Sequence, residues 1–190
     1  MIGYAICGSF CTHKKSLEVL KELASNFGDI LPIISFNAAN TDTRFGSAKE
    51  LIKNVEDICN RKAILTIEDA EPIGPKIKLD IMIISPCTGN TLAKLAHGIT
   101  DTPVTMAAKA HMRNSRPLLI SLASNDALSA NLCNIGTLLN KKNIYFTPML
   151  QDDILKKPHS LVANFDLVVT AAAKAIEGEQ IRPVFKELSI

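Results

Sequence analysis

The sequence lacks several features that would place it quickly. It has no run of Lys or Arg longer than two residues, and 21 basic residues against 19 acidic ones leave a formal net charge of only +2. That balance offers no basic patch to a nucleic acid or to an anionic membrane surface. No apolar segment approaches the roughly 20 residues that cross a bilayer. The longest candidate, Asp166 to Ile176, is interrupted by Asp166, Thr170 and Lys174. Cys7, Cys11, Cys59, Cys87 and Cys133 are an odd, scattered set with no C-x-x-C pair and no signal-peptide pattern ahead of them. They are expected to be reduced thiols of a soluble cytoplasmic protein. The four histidines, His13, His97, His111 and His159, have no metal-pair spacing of the H-E-x-x-H kind, so no metal is expected.

What is present is an alternation of apolar runs and amphipathic segments. At 190 residues and 47% hydrophobic, the chain fits one domain over 1–190, with a loosely held tail from about Gln180. Ile2 to Cys7 reads as a buried strand. A helix follows with Leu17, Leu20, Leu23, Ala24 and Phe27 inward, stopped by Gly28. Ile30 to Ser35 is the second strand, and Ser47 with Glu50 forms a capping-box pattern ahead of the stripe Leu51, Ile52, Val55, Ile58 and Cys59. A weaker strand is expected at Ala63 to Ile67, then a surface connection over Glu68 to Lys78. Asp80 to Ser85 is the clearest buried strand, ended by Pro86, with a short helix from about Asn90 to Gly98 and another opened by Pro103. Leu118 to Leu122 is a strand, Asp126 to Leu139 a helix, Ile144 to Thr147 the last strand, and Ser160 to Glu177 the closing helix. This alternation predicts a doubly wound, Rossmann-like α/β fold: a parallel sheet flanked by helices, with right-handed crossovers.

In such a sheet, ligands bind beyond the carboxyl ends of the strands, where helix N-termini present unpaired N–H groups. Three loops are suitably built. Gly8-Ser9-Phe10-Cys11-Thr12 allows close backbone approach at Gly8 and offers the Ser9 hydroxyl to an anion, although the full G-x-G-x-x-G fingerprint is absent. Ser35-Phe36-Asn37 places a hydroxyl at the end of the second strand and by itself equals an ordinary turn. Ser85-Pro86-Cys87-Thr88-Gly89-Asn90-Thr91 is densest in small donors, beyond what capping requires.

Asp80 to Asp101 resembles the second signature of a flavoprotein family that includes flavin prenyltransferases and the cysteine-decarboxylating enzymes of coenzyme A and lantibiotic synthesis. The similarity runs on through Met106 to Ile120, Ala127 to Leu132 and Phe146 to Met149. It implies flavin mononucleotide (FMN) as cofactor. Carried onto this sequence, the flavin-lining positions are Gly8, Ser9 and the adjoining Phe10, then Ser35, Pro86, Thr88, Asn90 and Thr91.

Gly3-Tyr-Ala, Gly8 to Thr12, Pro86 to Pro103 and Lys109-Ala-His111 resemble one branch of that family, the B subunits of a two-component synthase of spore formers. This narrower resemblance implies a Rossmann-type A subunit that brings NAD(P), and oxidation of a cyclic intermediate to a dicarboxylate during sporulation. It also implies a mother-cell cytoplasm, and trimers or dodecamers by analogy.

Departures from the family qualify its chemistry. Leu65-Thr-Ile-Glu-Asp69 lacks the histidine of the peptidyl-cysteine decarboxylases, and Leu122-Ala-Ser-Asn125 replaces their Pro-Ala-Met-Asn. The Arg-Glu pair of the prenyltransferases is missing as well, so Asn125 alone survives. Two alternatives therefore stand: a non-catalytic partner that stabilises the A subunit, or a flavin-dependent decarboxylase or prenyltransferase of another substrate. The catalytic candidates are His111, Asn125 and Cys87. Cys87 reads as a nucleophile at a helix start or as a packing residue, and His111 as an acid–base group or a packing residue. Lys109, Arg113 and Arg116 offer cations to an acid or form a solvated helix face.

Overall fold

The apolar runs become the centre of one sheet. The computed structural model describes residues 1–186. In chain order the elements are β1 (Ile2–Ile6), a 3-10 turn (Phe10–Thr12), α1 (His13–Phe27), β2 (Ile30–Ile34), α2 (Phe36–Asn40), α3 (Ala48–Cys59), α4 (Ile67–Ala70) and β3 (Ile81–Cys87). There follow α5 (Gly89–His97), α6 (Pro103–Met112), β4 (Leu118–Ser124), α7 (Leu132–Leu139), β5 (Ile144–Phe146), β6 (Met149–Leu150), β7 (Leu161–Ala163), a second 3-10 turn (Phe165–Leu167) and α8 (Val168–Ile176).

Strands β2, β1, β3 and β4 lie side by side and parallel, with Ile2 opposite both Ile30 and Ile81, and Met82 opposite Leu118. Every residue of β1, β2 and β3 is buried, as a sheet covered on both faces requires. Leu92, Val104, Ala108 and Leu138 pack in the core on one side, and Val19, Leu20, Leu23, Val55, Val168 and Ala172 in the core on the other. The predicted doubly wound α/β architecture is therefore the architecture of the chain, with one addition. The free edge of β4 is shared: Leu118 to Ile120 pair in parallel with β5, whereas Ala123 and Ser124 pair antiparallel with β7, which in turn pairs with β6.

Several expectations are corrected. Ala63 to Ile67 is not a strand; only Ile64 bridges to Ile33, and Ile67 starts α4. The expected surface connection over Glu68 to Lys78 buries Ala70 and Ile73 completely. Gly74, at φ +97°, is pressed so close to α6 that an added Cβ would lie 2.4 Å from the Ala110 carbonyl oxygen. Pro86 does not end its strand, because β3 runs through it to Cys87 with a register shift after Ile84. The helix expected from Asp126 begins only at Leu132, which is exposed along with Phe27 of α1. The start of the expected closing helix is β7 instead, and β6 and α2 were not anticipated.

Of the tail from Gln180, the side-chain amide accepts from the Phe146 N–H at 2.7 Å and donates to its carbonyl at 2.7 Å. Val184 and Lys186 bond to the Met149 backbone. Residues 187–190 lie outside the described residues.

Candidate functional site

The parallel register of β1, β3 and β4 brings their carboxyl ends to one edge of the sheet, and three loops meet there around a cavity of about 680 Å³. Gly8 to Thr12 forms one wall, Thr88 and Gly89 the second, and Ala123 to Asn125 the third. The site lies where open parallel sheets bind ligands.

Each wall is fixed locally. Ser9 stands at the N-cap of the 3-10 turn yet makes no capping bond with its side chain. The turn is held instead by the Thr12 hydroxyl donating to the Ser9 carbonyl at 2.8 Å, and His13 Nε2 contacts the Cys7 carbonyl at 2.8 Å. Burial lowers the His13 pKa, partly offset by that carbonyl. Thr88 caps α5 by accepting from the Thr91 N–H at 3.3 Å, so the first N–H groups of that helix have no partner within it. Behind Gly89 runs a chain of side chains: Asn134 donates to Asn131 at 3.0 Å, Asn131 to Asp126 at 3.0 Å, and the Ser124 hydroxyl to the same carboxylate. A Cβ at position 89 would lie 2.5 Å from Ser124 Oγ and 2.7 Å from both Asn131 Nδ2 and Asp126 Oδ1. Only glycine fits there.

Charge is concentrated at the mouth. Lys15, Arg44 and Lys157 line the cavity against a single carboxylate, Asp152. Lys157 Nζ sits 3.0 Å from Asp152 Oδ2, and Arg44 Cζ lies 4.9 Å from the centre of the Phe45 ring. The Asp152 bond and charge raise the Lys157 pKa. Partial burial pushes Asp152 up, but its bond to Lys157, that residue's charge and the nearby Ser160 hydroxyl hold it below the ordinary carboxylate value. Three cations against one carboxylate favour an anionic ligand.

Of the residues singled out from the sequence, Gly8, Ser9, Phe10, Thr88 and Asn125 line this cavity. Ser35 is buried one loop away, capping α2 through the Ala38 N–H at 3.4 Å; Asn37 of that loop would lie 3.4 Å from a Cβ placed on Gly8. Pro86 is buried within β3. Asn90 is exposed beyond the cavity wall. Thr91 is turned inward, its hydroxyl donating to Cys7 Sγ at 3.3 Å.

Two catalytic candidates need correction. Cys87 does not face the cavity as a helix-start thiolate; it is fully buried, and burial with the neighbouring Cys7 pushes its pKa well up. That favours its packing reading. His111 is buried at the other end of the sheet, with Nε2 at 2.8 Å from the carbonyl of Pro117, the residue before β4. At about 3.3 Å per residue, β4 separates it from Ser124 by roughly 20 Å. Burial and the charge of Arg116 lower its pKa, against a smaller opposing pull from the Pro117 carbonyl and Asp80. Arg116 belongs to that same end, bonded to the Leu79 carbonyl at 2.6 Å and to Asp80 at 3.0 Å.

Sequence reasoning missed Lys15, Arg44, Phe45, Ser124, Asp152 and Lys157. Lys15 carried a signal, since it lies in the first turn after the Gly8 loop. The loop residues Arg44, Asp152 and Lys157 have no period that could have announced them. A larger cavity, about 1520 Å³, lies at the opposite sheet end beside Asn143, Ile144 and Gln180, away from these loops. Among the described residues no cluster of three or more His, Cys, Asp or Glu is placed to hold a metal ion, and no helix is long and apolar enough to cross a membrane.

Known proteins share this sequence pattern and fold. Residues 2–176 match the family model described as Flavoprotein. The chain is 44% identical over 186 residues to the B subunit of dipicolinate synthase from Bacillus subtilis (strain 168), across 98% of this chain and 93% of the relative. The crystal structure of the dipicolinate synthase B subunit from Bacillus halodurans C superposes with a TM-score of 0.90 at 38% identity, covering 98% of this chain and 95% of that one. A UbiX structure in complex with FMN and dimethylallyl pyrophosphate shares the fold at 18% identity, with a TM-score of 0.62 over 77% of this chain and 76% of its own.

Proposed function

The chain belongs to the Flavoprotein family, and from that premise we propose that it holds flavin mononucleotide at the strand ends and acts as the B subunit of a dipicolinate synthase. The observation that carries the reading is the meeting of Gly8 to Thr12, Thr88–Gly89 and Ser124–Asn125 around one cavity with an excess of cations. A flavin phosphate suits the uncapped Ser9 hydroxyl, the free N–H groups at the start of α5 and the nearby Lys15. Gly8 and Gly89 present bare backbone to it, and at Gly89 a Cβ would collide with Ser124, Asn131 and Asp126. Phe10 and Phe45 supply apolar wall, and Asn125 a polar group for the ring edge.

Bound there, flavin would supply a two-electron acceptor. The protein's share is to orient it and keep water out. The partner is the A subunit of dipicolinate synthase, which brings NAD(P), and the substrate is a dihydrodipicolinate-type ring that loses two electrons and two protons to become the aromatic dicarboxylate. Sporulation, and assembly as trimers or dodecamers, belong to the same reading; sedimentation of the purified chain tests the assembly.

A specific observation favours one rival. With Cys87 buried and His111 at the far end, Asn125 alone of the three catalytic candidates lines the cavity. The chain would then be a flavin-binding or phosphate-binding partner that stabilises the A subunit without reacting. The two readings separate when the A subunit, supplied with NAD(P), is assayed with flavin-loaded and flavin-stripped chain. The catalytic reading expects oxidation only with the loaded form; equal rates with the stripped form would leave the scaffold role.

A further inference from the structure

We propose that Arg44 and Lys157 read the two carboxylates of the ring substrate, and that Asp152 occupies Lys157 as a stand-in carboxylate until the substrate displaces it. The inference rests on the proposed function and assigns its substrate contacts to residues of this chain.

A pyridine dicarboxylate calls for two cations on either side of a flat ring. The cluster that sequence reasoning offered, Lys109, Arg113 and Arg116, cannot supply them. It follows α6 back to the amino ends of the strands, where Arg116 is already bonded to Leu79 and Asp80. The cavity has its own cations. Lys15, in the first turn of α1 beside the Ser9 loop, is placed for a phosphate. Arg44 and Lys157 remain, on two separate loops that close the mouth.

Arg44 lies over the Phe45 ring at 4.9 Å, which holds a guanidinium in place for two-pronged contact with a carboxylate. Phe45 is 54% exposed and offers a flat apolar surface to a heterocycle. Lys157 is engaged at 3.0 Å by Asp152, but the two side chains are 46% and 34% exposed. A pair that open to solvent adds little stability, so an incoming carboxylate can replace Asp152 at small cost.

The loop does not depend on that ion pair for its shape. Lys157 N–H donates to the Asp153 carbonyl at 2.8 Å, Ser160 N–H to the Lys157 carbonyl at 3.0 Å, and the Gln151 amide to the Pro158 carbonyl at 2.9 Å. Breaking the pair should leave the loop in place.

The test is calorimetric titration of the full chain, flavin-loaded and flavin-free, with pyridine-2,6-dicarboxylate. Arg44→Gln and Lys157→Gln should each weaken binding by about tenfold, the size of one lost charge-assisted contact. Asp152→Asn should tighten it several-fold, because the competing carboxylate is gone. Lys109→Gln should change nothing. The opposite signs at positions 152 and 157 are decisive. If Asp152→Asn weakens binding as Lys157→Gln does, the pair is only a loop fastener and the proposal falls; it falls equally if neither substitution alters the affinity. Failure of the wild-type chain to take up flavin would overturn the proposed function, while the titration of the flavin-free chain would still decide this inference.

Discussion

The two ends of β4 carry similar chemistry and use it differently. At the amino end the groups nearest the strands are paired within the protein: the Met1 ammonium bonds Asp80 at 2.7 Å, Arg116 bonds the same carboxylate at 3.0 Å, and His111 is turned onto Pro117. At the carboxyl end, Ser9 makes no capping bond, the first N–H groups of α5 are free within the helix, and Lys15 and Arg44 line an open cavity. One end has committed its polar groups to holding the chain together. The other has left them for something outside it, and this difference, more than residue type, separates structural from functional positions here.

The largest expected effect breaks the carboxyl end. Gly89→Val drives two methyl groups into Ser124, Asp126 and Asn131, so the purified variant should lose flavin retention altogether and about 1–3 kcal/mol of stability in urea unfolding. Retention of flavin by this variant would show that the start of α5 is not a cofactor wall.

At the amino end, His111→Ala should cost a similar ~1–3 kcal/mol by emptying a buried site and removing one of the two bonds to the Pro117 carbonyl, which keeps the Met82 N–H at 3.1 Å, yet leave flavin uptake unchanged. The pH dependence has a definite sign. Because the folded chain keeps His111 neutral below its ordinary pKa of about 6.5, the unfolded state gains protons first as pH falls. Stability is full above that value and declines as pH drops towards the depressed folded pKa. Urea midpoints at neutral and mildly acidic pH should show this decline in the wild type and a shallower one in the variant.

A gentler probe needs no substitution. Cys11 and Cys133 are exposed, whereas Cys7, Cys59 and Cys87 are buried, with Cys7 and Cys59 each pushed up to about 11. Thiol titration should find two reactive groups in the native chain and all five after denaturation. A bound flavin should slow Cys11, which lines the cavity, and spare Cys133. The smallest effect is expected of Gly136→Ala in α7, where a Cβ meets nothing within 4 Å: a gain of about 0.5–1 kcal/mol in the same unfolding assay and no change at the site.

The sheet was legible because β1 to β4 are nearly unbroken apolar runs, and the starts of α3 and α6 because their capping patterns are local. β7 was not legible. Leu161 to Ala163 sits at the head of a long apolar stretch, and only its pairing with Ala123 and Ser124 makes it a strand. The Gly8 and Thr88 loops could be found because strand ends are where parallel sheets bind. His111 was misplaced for a reason that topology contains: a crossover helix runs back against the strands, so its last turn lies at their amino ends. Arg44, Asp152 and Lys157 sit on irregular loops brought together by the fold alone.

The measurement closest to the central claim is the visible spectrum of the freshly purified chain, before and after addition of flavin mononucleotide and removal of the excess. The account predicts retained flavin absorption at one cofactor per chain, lost in Gly89→Val and kept in His111→Ala. A wild-type chain that stays colourless after exposure to the cofactor would contradict it.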